Sequence, residues 1–274
     1  MTAPTVSAVV VSYHTGPRLK ECLYALAGDP AIAEIILVDN GNPESMQTWL
    51  SAFAGSRDTV RFVSGHGNIG FGAGVNLGVA SAKGQQVLVI NPDAVLRRGS
   101  VDSLQKVAST LDTPWIVGGR VFDLYGREER GPRRQELTLW RATTSILGWN
   151  TWTLETTPVP SAAVDMPVIS GAFFLTSKVS MERLDGFDER YFLHVEDVDL
   201  CRRCRELGGR VMYDPNAGAL HYGSTSNAPS ALVAKHKADS LERYFKTYAR
   251  GVGSKIMVAL AMPFMRLAMR ISAR

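Results

Sequence analysis

Two carboxylates each follow an apolar run in the first hundred residues of the chain. Asp39 ends the run in IILVDN, and Asp93 follows Val87–Ile90 in VLVINPD, behind Asn91 and Pro92. In an open α/β sheet, ligands bind beyond the carboxyl ends of the strands, so both acids are expected at one rim of the sheet. A single strand-end acid is often only a helix cap, whereas two of them favour a nucleotide site.

A second group of acids lies later in the chain, where Glu196, Asp197 and Asp199 open a predicted helix in HVEDVDL. Carboxylates suit the positive end of a helix dipole, so a well-capped helix is the simpler interpretation. Aromatic residues in GFDERYF precede these acids, and a carboxylate in such an apolar wall has its pKa raised toward that of a useful general base. The residues alone leave both interpretations open.

The segment GHGNIG, from Gly65 to Gly70, matches the G-x-G-x-x-G pattern of dinucleotide-binding loops. Asp93 follows Gly70 by 23 residues, near the spacing of a ribose-binding acid, which would indicate an NAD(P)-dependent oxidoreductase. Two predicted strand–helix units precede the segment, however, whereas the fingerprint normally lies on the first strand of its unit. A loop whose backbone passes close to a ligand explains these glycines better.

The three cysteines are too few to build a disulfide framework, which favours a reducing compartment. They are Cys22, Cys201 and Cys204, and the last two form a C-x-x-C pattern with Leu200 and Leu207 nearby. We therefore expect Cys201 and Cys204 to face the core of the protein rather than to serve redox chemistry or to bind zinc.

These candidate residues need a scaffold that brings strand ends together, and the first 125 residues alternate between strand and helix patterns. The predicted strands are VSAVVVSY, AEIILVDN, TVRFVSG, QQVLVIN and WIVGGRVFD. Strands that alternate with helices of about 10 to 15 residues are typical of a parallel sheet covered on both faces. Regular structure weakens from 124 to 165, then resumes with the strand MPVISGAFFLTS, two helices, the strand RVMYDPNAGALHYG and a long helix.

Length and charge limit the classes of protein that this chain can belong to. Its 274 residues, 45% of them hydrophobic, suffice for one domain with appendages. Positions 235–274 hold nine Lys/Arg and two Asp/Glu, a charge of +7, so the total of +4 leaves −3 for 1–234. The basic charge therefore belongs to a tail, which argues against a nucleic-acid-binding face spread over the fold.

The chain begins without a basic segment of the kind that starts a signal peptide. The longest late apolar run, Ile256 to Met265, has ten residues, and a membrane-spanning helix needs roughly 20. We therefore expect neither a signal peptide nor a spanning helix.

Seven segments together resemble the family 2 inverting glycosyltransferases, and more narrowly their bacterial rhamnosyltransferase branch. They lie between about Ser7 and Tyr248, in the order that the family has: VSAVVVSYHTG, IILVDNGN, GNIGFGAGVNLG, VLVINPDAVL, ISGAFFLTS, GFDERYFLHVEDVDLCRRCRELGGRV and HYGSTS. The resemblance implies a GT-A fold, a Rossmann-like and mostly parallel mixed sheet flanked by helices. It also implies a nucleotide-diphosphate sugar donor, dTDP- or UDP-linked, and a divalent metal ion.

The same resemblance implies roles for residues at the nucleotide end of the site. Asp39 matches the acid that reads the pyrimidine ring, and Ser12 and Tyr13 match residues that line the base pocket. The loop over the nucleoside is matched by Asn68, Gly70 and Phe71.

At the reacting end, the resemblance places Asp93 in the family's D-x-D metal motif, with Asn91 where the first acid often stands. His221 matches a histidine that binds the metal or the diphosphate, although a core histidine is the simpler reading of its position. Mg²⁺ binds through one or two carboxylates plus phosphates and waters, whereas a histidine ligand favours Mn²⁺. Asp197 matches the base that deprotonates the acceptor hydroxyl, with Glu196 beside it.

We expect a GT-A domain at 1–250, with a nucleotide-binding half at 1–123, a loop-rich excursion at 124–165 and an acceptor half at 166–250. The expected reaction is inverting transfer of L-rhamnose from dTDP-L-rhamnose to a lipid-linked or cell-surface polysaccharide acceptor. Another UDP- or dTDP-hexose donor, the oxidoreductase and a non-catalytic nucleotide-sugar-binding protein are the alternatives. We expect a cytoplasmic enzyme, peripheral on the inner face of the membrane.

The tail at 251–274 is predicted to form a basic amphipathic helix, kinked at Pro263, that lies on an anionic membrane. Packing of this helix on the domain is the alternative. Its basic positions are Lys255, Arg266, Arg270 and Arg274, and its apolar positions are Ile256, Val258, Leu260, Phe264 and Met265. Four arginines of the excursion, at 127, 130, 133 and 134, are candidates to meet an acceptor diphosphate or lipid headgroups; a solvated loop is the simpler interpretation.

Overall fold

The computed structural model describes residues 5–129, 131–149, 158–223 and 229–272. Among the predicted positions, Arg130, Arg274 and the end of HYGSTS lie outside these ranges. The strands are β1 Val6–Ser12, β2 Ile32–Asp39, β3 Val60–Val63, β4 Gln86–Ile90, β5 Ala94–Leu96, β6 Trp115–Phe122, β7 Arg133–Arg134, β8 Val164–Asp165, β9 Val168–Ile169, β10 Phe173–Ser177 and β11 Arg210–His221. The helices are α1 Arg18–Ala27, α2 Glu44–Gly55, α3 Phe71–Ser81, α4 Ser100–Ala108, α5 Leu139–Ile146, α6 Lys178–Arg183, α7 Glu196–Glu206, α8 Ser230–Tyr248 and α9 Gly251–Ser272.

One mixed sheet organises the described part of the chain, in the order β3-β2-β1-β4-β10-β6-β11-β5, with β8 also paired to β11. The strands β3, β2, β1 and β4 are parallel, as the alternating pattern predicted. β10 is antiparallel to both of its neighbours, β4 and β6, whereas β6 and β11 are parallel. Strands from the two halves of the chain thus interleave in one sheet, and the division at 123 and 165 stays a prediction.

The core lies on both faces of this sheet, because alternate residues of each strand point to opposite sides. Val9 and Ile36 join an apolar cluster with α3, α6, α7, α8 and α9. Their chain neighbours Val10 and Ile35 join a second cluster with α1, α2 and α4. This double coverage explains why the central strands read as continuous apolar runs. A fully buried aliphatic side chain contributes roughly 1.5–3 kcal/mol to stability.

The segment MPVISGAFFLTS, predicted as one strand, forms two. β9 pairs with β7 in a separate two-stranded sheet, and β10 enters the main sheet after a turn at 170–172. The break exists because the Gly171 N–H donates to the Asp197 carboxylate, 2.9 Å away, instead of to a neighbouring strand. A Cβ at Gly171 would lie 3.3 Å from the Asp197 Cβ, so a larger residue would crowd this turn.

The thiols of Cys22, Cys201 and Cys204 are free and buried, as expected for core residues. Burial raises the pKa of the Cys201 thiol to about 12, so it is protonated at neutral pH. Among the described residues no group of three or more His, Cys, Asp or Glu could hold a metal ion, so the C-x-x-C pattern forms no zinc site there.

The C-terminal helix α9 packs on α8 and α5, and its apolar residues divide between two faces. Val258, Met262, Met265 and Met269 are buried at helical spacing. Arg266 belongs to the inner face as well, because it pairs with Asp239 and Glu242 of α8. The outer face exposes Val252, Ile256, Met257, Leu260, Phe264, Leu267 and Ile271.

The inner face therefore agrees with packing of the tail on the domain, and contact of the outer face with a membrane stays a prediction. The expectation of no spanning helix is corrected: by length and composition alone, Gly251–Ile271 is long and apolar enough to cross a membrane. Only three charged residues interrupt the stretch, so the shorter uninterrupted run underestimated its apolar character.

Candidate active site

At the ends of β1 and β2, the predicted base-pocket residues share one hydrogen-bond network. Asn42 Nδ2 donates to Ser12 Oγ (2.9 Å) and to Asp39 Oδ1 (2.7 Å). The backbone N–H groups of Gly41 and Asn42 also donate to Asp39 Oδ1, at 3.2 and 2.8 Å. Asp39 therefore caps its turn through Oδ1, and all of its hydrogen bonds to described residues end on that oxygen. Oδ2 is the atom left for a ligand. Tyr13 borders this turn, with its Cε2 close to Gly41.

The glycine loop at 65–70 lies against the second half of the chain. Asn68 Oδ1 accepts a hydrogen bond from the Gly70 N–H (3.1 Å), and Asn40 Nδ2 donates to the Gly70 carbonyl (2.8 Å). Gly70 has φ +90°, and a Cβ there would lie 2.6 Å from the carbonyl oxygen of Phe192. Glycine is required because of this close approach to Phe192, a protein contact rather than the ligand contact that the sequence suggested. The next residue, Phe71, donates its N–H to the same carbonyl.

A cavity of about 440 Å³ opens beside this loop. That volume lies within the usual range for small-molecule sites. Five of the predicted site residues line it: Phe71, Asn91, Glu196, Asp197 and His221. The residues Ser12, Tyr13, Asp39, Asn68, Gly70 and Asp93 are not part of its lining. The structure thus brings the predicted base and the predicted metal-binding histidine to one cavity. Of the residues predicted at the nucleotide end, Phe71 lines it and the other five do not.

One lining residue of the cavity, His221, lies between two carboxylates; we call Asp93, Glu129 and His221 the His221 cluster. The His221 Nε2 is 3.1 Å from Asp93 Oδ1, and its Nδ1 is 2.9 Å from Glu129 Oε2. Burial opposes the charged imidazolium, but hydrogen bonds and charge from Asp93 and Glu129 outweigh it and raise the pKa of His221 to about 9. His221 is therefore a site residue in contact with the predicted metal-binding acid, not a core histidine.

The chemistry of this donor set fits a divalent ion that arrives with phosphate. Asp93 supplies one carboxylate, His221 one imidazole nitrogen, and the Asn91 amide lies 3.3 Å from that nitrogen. Among the described residues, too few acids and histidines converge to hold a metal ion by themselves. Since Mg²⁺ and Mn²⁺ sites commonly use one or two carboxylates plus substrate phosphates, these residues would need a diphosphate to complete the coordination.

A second group of lining residues includes the two adjacent acids that begin α7; we call Arg134, Glu196 and Asp197 the Asp197 cluster. Asp197 Oδ2 accepts from Arg134 Nη2 (2.5 Å) and from the Gly171 N–H (2.9 Å), and its Oδ1 accepts from the Val198 N–H (2.8 Å). A carboxylate offers about four acceptor positions, so one position on Oδ1 stays open to a substrate hydroxyl.

Glu196 differs from its neighbour, because it is 7% exposed and its Oε2 has no hydrogen-bond partner among the described residues. Burial, followed by the charge of Asp197, raises the pKa of Glu196 to about 8. The raised pKa that the aromatic wall predicted for a carboxylate in this segment is thus found at Glu196.

A strained backbone precedes these acids. His194 and Val195 have φ of +66° and +72°, the left-handed region that β-branched residues rarely adopt. Each such residue costs about 1–3 kcal/mol and persists only where its surroundings impose it. Val195 is buried in the core and immediately precedes Glu196, so core packing holds the start of α7 in place.

Sequence reasoning missed two partners of these clusters. Glu129 lies in a hairpin of the excursion, where its N–H bonds to the Val121 carbonyl. Gly171 lies in the turn that was predicted as strand. The GREERG composition marked the hairpin only as charged, and no local pattern indicated that its acid reaches a histidine 92 positions later.

A family model described as Glycosyl transferase family 2 matches residues 7–184. An N-acetylglucosaminyl-diphospho-decaprenol L-rhamnosyltransferase of Mycobacterium tuberculosis is 29% identical over 248 residues, which cover 83% of this chain and 80% of that protein. The rhamnosyltransferase WbbL of Escherichia coli is 25% identical over 233 residues, covering 81% of this chain and 85% of that protein.

Two solved structures share the fold. The first is GalNAc-T7 with UDP, GalNAc and Mn²⁺, at a TM-score of 0.65 and 15% identity; it covers 90% of this chain, and the chain spans 49% of it. The second is the mannosyltransferase PcManGT from Pyrobaculum calidifontis in complex with GDP-Man and Mn²⁺, at a TM-score of 0.63 and 17% identity, covering 99% of this chain and 74% of that one. The expected GT-A fold is confirmed.

Proposed function

The chain belongs to glycosyl transferase family 2, and from this premise we propose that it transfers L-rhamnose from dTDP-L-rhamnose, with inversion, to a sugar carried on a polyprenyl diphosphate. The relatives from M. tuberculosis and E. coli, both named as rhamnosyltransferases, support the donor sugar. The M. tuberculosis relative's name also supports an acceptor linked through diphosphate to a polyprenol.

One observation carries the proposal: a single cavity is lined by a carboxylate with an open acceptor position and by a histidine in contact with a second carboxylate. Direct displacement at an anomeric carbon needs a base on one side and stabilisation of the leaving diphosphate on the other. Asp197 and the His221 cluster supply these two functions, and Asp197 and His221 both line the cavity.

In the proposed step, an acceptor hydroxyl donates to the open position on Asp197 Oδ1. Its oxygen attacks the anomeric carbon of the donor, and its proton passes to the Asp197 carboxylate. The bond from the anomeric carbon to the diphosphate oxygen breaks, and its electron pair leaves with the diphosphate. One displacement inverts the centre, and no covalent enzyme intermediate forms.

Asp93 and His221 would hold a divalent ion together with the donor diphosphate, and such an ion would neutralise charge on the leaving group. The two solved relatives described with Mn²⁺ support this assignment. Without help from an ion, the imidazolium of His221 carries a positive charge at the same place. Asn91 places its amide nitrogen 3.3 Å from His221 Nε2, so this position supplies an amide where the family often has an acid.

Two alternatives differ in their support. A different dTDP- or UDP-hexose donor keeps every assigned role, because none of these roles depends on which hexose is transferred. The NAD(P)-dependent oxidoreductase rested on GHGNIG, and it loses its basis because Gly70 is explained by its contact with Phe192.

A nucleotide-sugar panel tests the proposal, with dTDP-rhamnose, dTDP-glucose, UDP-glucose and UDP-N-acetylglucosamine, each with N-acetylglucosaminyl-diphospho-farnesol and with Mg²⁺, Mn²⁺ or EDTA. We expect release of dTDP from dTDP-rhamnose only when the acceptor is present. Faster turnover of another nucleotide sugar would identify that sugar as the donor in place of rhamnose. Binding of NAD but not of dTDP would contradict the proposed function.

We place the enzyme at the cytoplasmic face of the membrane, with the outer apolar face of α9 as its contact. Val252 and Phe264 are 76% and 75% exposed on this face, and they belong to a row of exposed apolar residues along the helix. Such a row, unlike an isolated apolar residue, is typical of a surface that contacts a membrane or a partner. Because the inner face packs on α8 and α5, deletion of the tail would disturb the fold, and point changes test the contact more cleanly.

The double variant Leu260→Ser and Phe264→Ser should lose sedimentation with vesicles of phosphatidylglycerol and phosphatidylethanolamine. The control Leu207→Ser, at the exposed end of α7, should sediment like the unchanged protein. Equal sedimentation of all three proteins would remove the membrane contact.

A further inference from the structure

The described arginines of the excursion differ in their exposure and in their hydrogen-bond partners. Arg127 is exposed and pairs with Asp123. Arg133 is buried and gives two parallel hydrogen bonds to Glu128, at 3.1 and 2.9 Å, so it is occupied in holding the hairpin. Of the described arginines in this group, only Arg134 lines the cavity, where it is a member of the Asp197 cluster.

Arg134 uses only part of its hydrogen-bonding capacity. Its Nη2 donates to Asp197 Oδ2 at 2.5 Å and to the Ile169 carbonyl at 3.4 Å. Its Nε is buried and has no partner among the described residues. A buried guanidinium N–H without an acceptor costs free energy, so a ligand that supplies an acceptor there gains affinity.

The pairing with Arg134 also occupies the proposed base. Backbone N–H groups of Gly171 and Val198 already hold both oxygens of Asp197, so its orientation does not depend on the arginine. While Arg134 stays, it occupies one acceptor position on Asp197 Oδ2, and the open position is on Oδ1. A group that draws Arg134 away would therefore free a second acceptor position on the proposed base.

A second cation stands near the same wall. Lys237 of α8 lines the cavity, and its charge adds to burial in lowering the pKa of His194 to about 4. His194 is therefore neutral, and Arg134 and Lys237 provide the positive charge on this side. A planar guanidinium fork beside an ammonium group suits phosphate oxygens.

We propose that Arg134, together with Lys237, forms a binding subsite for the diphosphate of the acceptor, and that Arg134 leaves Asp197 when this anion binds. The inference rests on the proposed function and adds to it a means by which the enzyme recognises a phosphate-linked acceptor before it exposes its base. The diphosphate of the donor has the same chemistry, but the proposed function assigns it to the His221 cluster, and dTDP therefore serves as a separate probe in the test.

Isothermal titration tests the subsite without any turnover. The probes are N-acetylglucosaminyl-diphospho-farnesol, methyl N-acetylglucosaminide and dTDP, titrated into the wild type, Arg134→Gln and the control Arg127→Gln. Loss of a charge-assisted hydrogen bond predicts roughly 10- to 100-fold weaker binding of the diphosphate probe to Arg134→Gln. Binding of dTDP and of the methyl glycoside should not change, and Arg127→Gln should match the wild type.

Rates of transfer separate this role from simple positioning of the base. Arg134→Gln should lose transfer to the diphosphate acceptor through a higher KM, and its loss of transfer to the methyl glycoside should be clearly smaller. The variant Arg134→Lys keeps the charge but not the fork and should fall between the two.

Three results would overturn the subsite: unchanged binding of the diphosphate probe, an equal loss with both acceptors, or weaker binding of dTDP. The first would show that Arg134 contacts no acceptor anion, the second that it only positions Asp197, and the third that it serves the donor. Failure of the proposed function would look different, because the wild type would then bind the probe yet transfer no sugar.

Discussion

The His221 cluster and the Asp197 cluster each combine two carboxyl groups with one nitrogen-containing side chain, but they differ in which group carries a proton. In the His221 cluster, the imidazole of His221 lies between the two carboxyl groups and is protonated, since the pKa of His221 is raised to about 9. In the Asp197 cluster, Arg134 pairs with one carboxylate only, and the proton rests on buried Glu196, whose pKa is raised to about 8.

This difference is visible in the hydrogen bonds of the two carboxyl groups that begin α7. Glu196 is buried with an unpartnered Oε2, whereas Asp197 accepts three hydrogen bonds and keeps an open acceptor position on Oδ1. The comparison therefore favours Asp197 over Glu196 as the proposed base.

The largest effect is expected from removal of the ionised carboxylate. Asp197→Asn should lower kcat by about 10²- to 10⁴-fold, because no group then takes the acceptor proton. Binding of dTDP, measured by calorimetry, should stay unchanged. Glu196→Gln replaces one neutral group by another and should retain activity within about 10-fold. Equal losses in the two variants would contradict this assignment, since Glu196 would then contribute to catalysis as much as Asp197.

The next effect is on stability as a function of pH. Because the pKa of Glu196 is raised by burial, its favourable contribution is complete below the unfolded-state pKa near 4.5 and is lost as the pH rises to about 8. One pH unit of displacement corresponds to about 1.4 kcal/mol, so the decline is on the order of a few kcal/mol. Glu196→Gln should remove this decline in urea unfolding between pH 4.5 and 8.

The control for this measurement is Glu206→Gln, at the exposed end of the same helix. It should keep the wild-type dependence on pH. A Glu196→Gln protein with the wild-type slope would show that the proton rests elsewhere.

The smallest effect is expected at the His221 cluster. Glu129→Gln weakens the hold on His221 Nδ1, and changes to groups that orient a metal ligand typically cost 10- to 100-fold in metal affinity. Affinity for Mn²⁺ in the presence of dTDP, read by electron paramagnetic resonance, should fall by about 10-fold. Glu136→Gln, a more exposed acid of the same excursion, should leave it unchanged. Unchanged Mn²⁺ affinity of Glu129→Gln would show that Glu129 does not orient His221 for metal binding.

Much of the fold could be predicted from local pattern. The strands β1 to β4 and the helices α1 to α4 appear where hydrophobic periodicity indicated them. The strands are buried on both faces and the helices on one face, so the spacing of their apolar residues follows directly from this packing. The failures occurred where a contact between distant segments decides the backbone. MPVISGAFFLTS has the composition of a strand, yet the bond from Gly171 to Asp197 divides it.

The candidate site shows the same limit. The acids at 39, 93, 196 and 197 and the histidine at 221 could be found because each stands at an element end. Their partners could not be found, since Glu129 is 92 positions from His221 and Arg134 is 63 positions from Asp197. The strained φ of Val195 likewise has no local signature, because it is imposed by packing in the core.

The sequence by itself determined the alternation of elements and the chemical groups at the strand and helix ends, because both follow from local spacing and residue type. Only the tertiary structure decided where the protons and charges rest. Glu196 and Asp197 are adjacent and both are carboxyl groups, yet one is buried with an unpartnered oxygen and the other accepts three hydrogen bonds. Burial and partners from distant segments set which of two like groups is ionised, and no spacing along the chain encodes them.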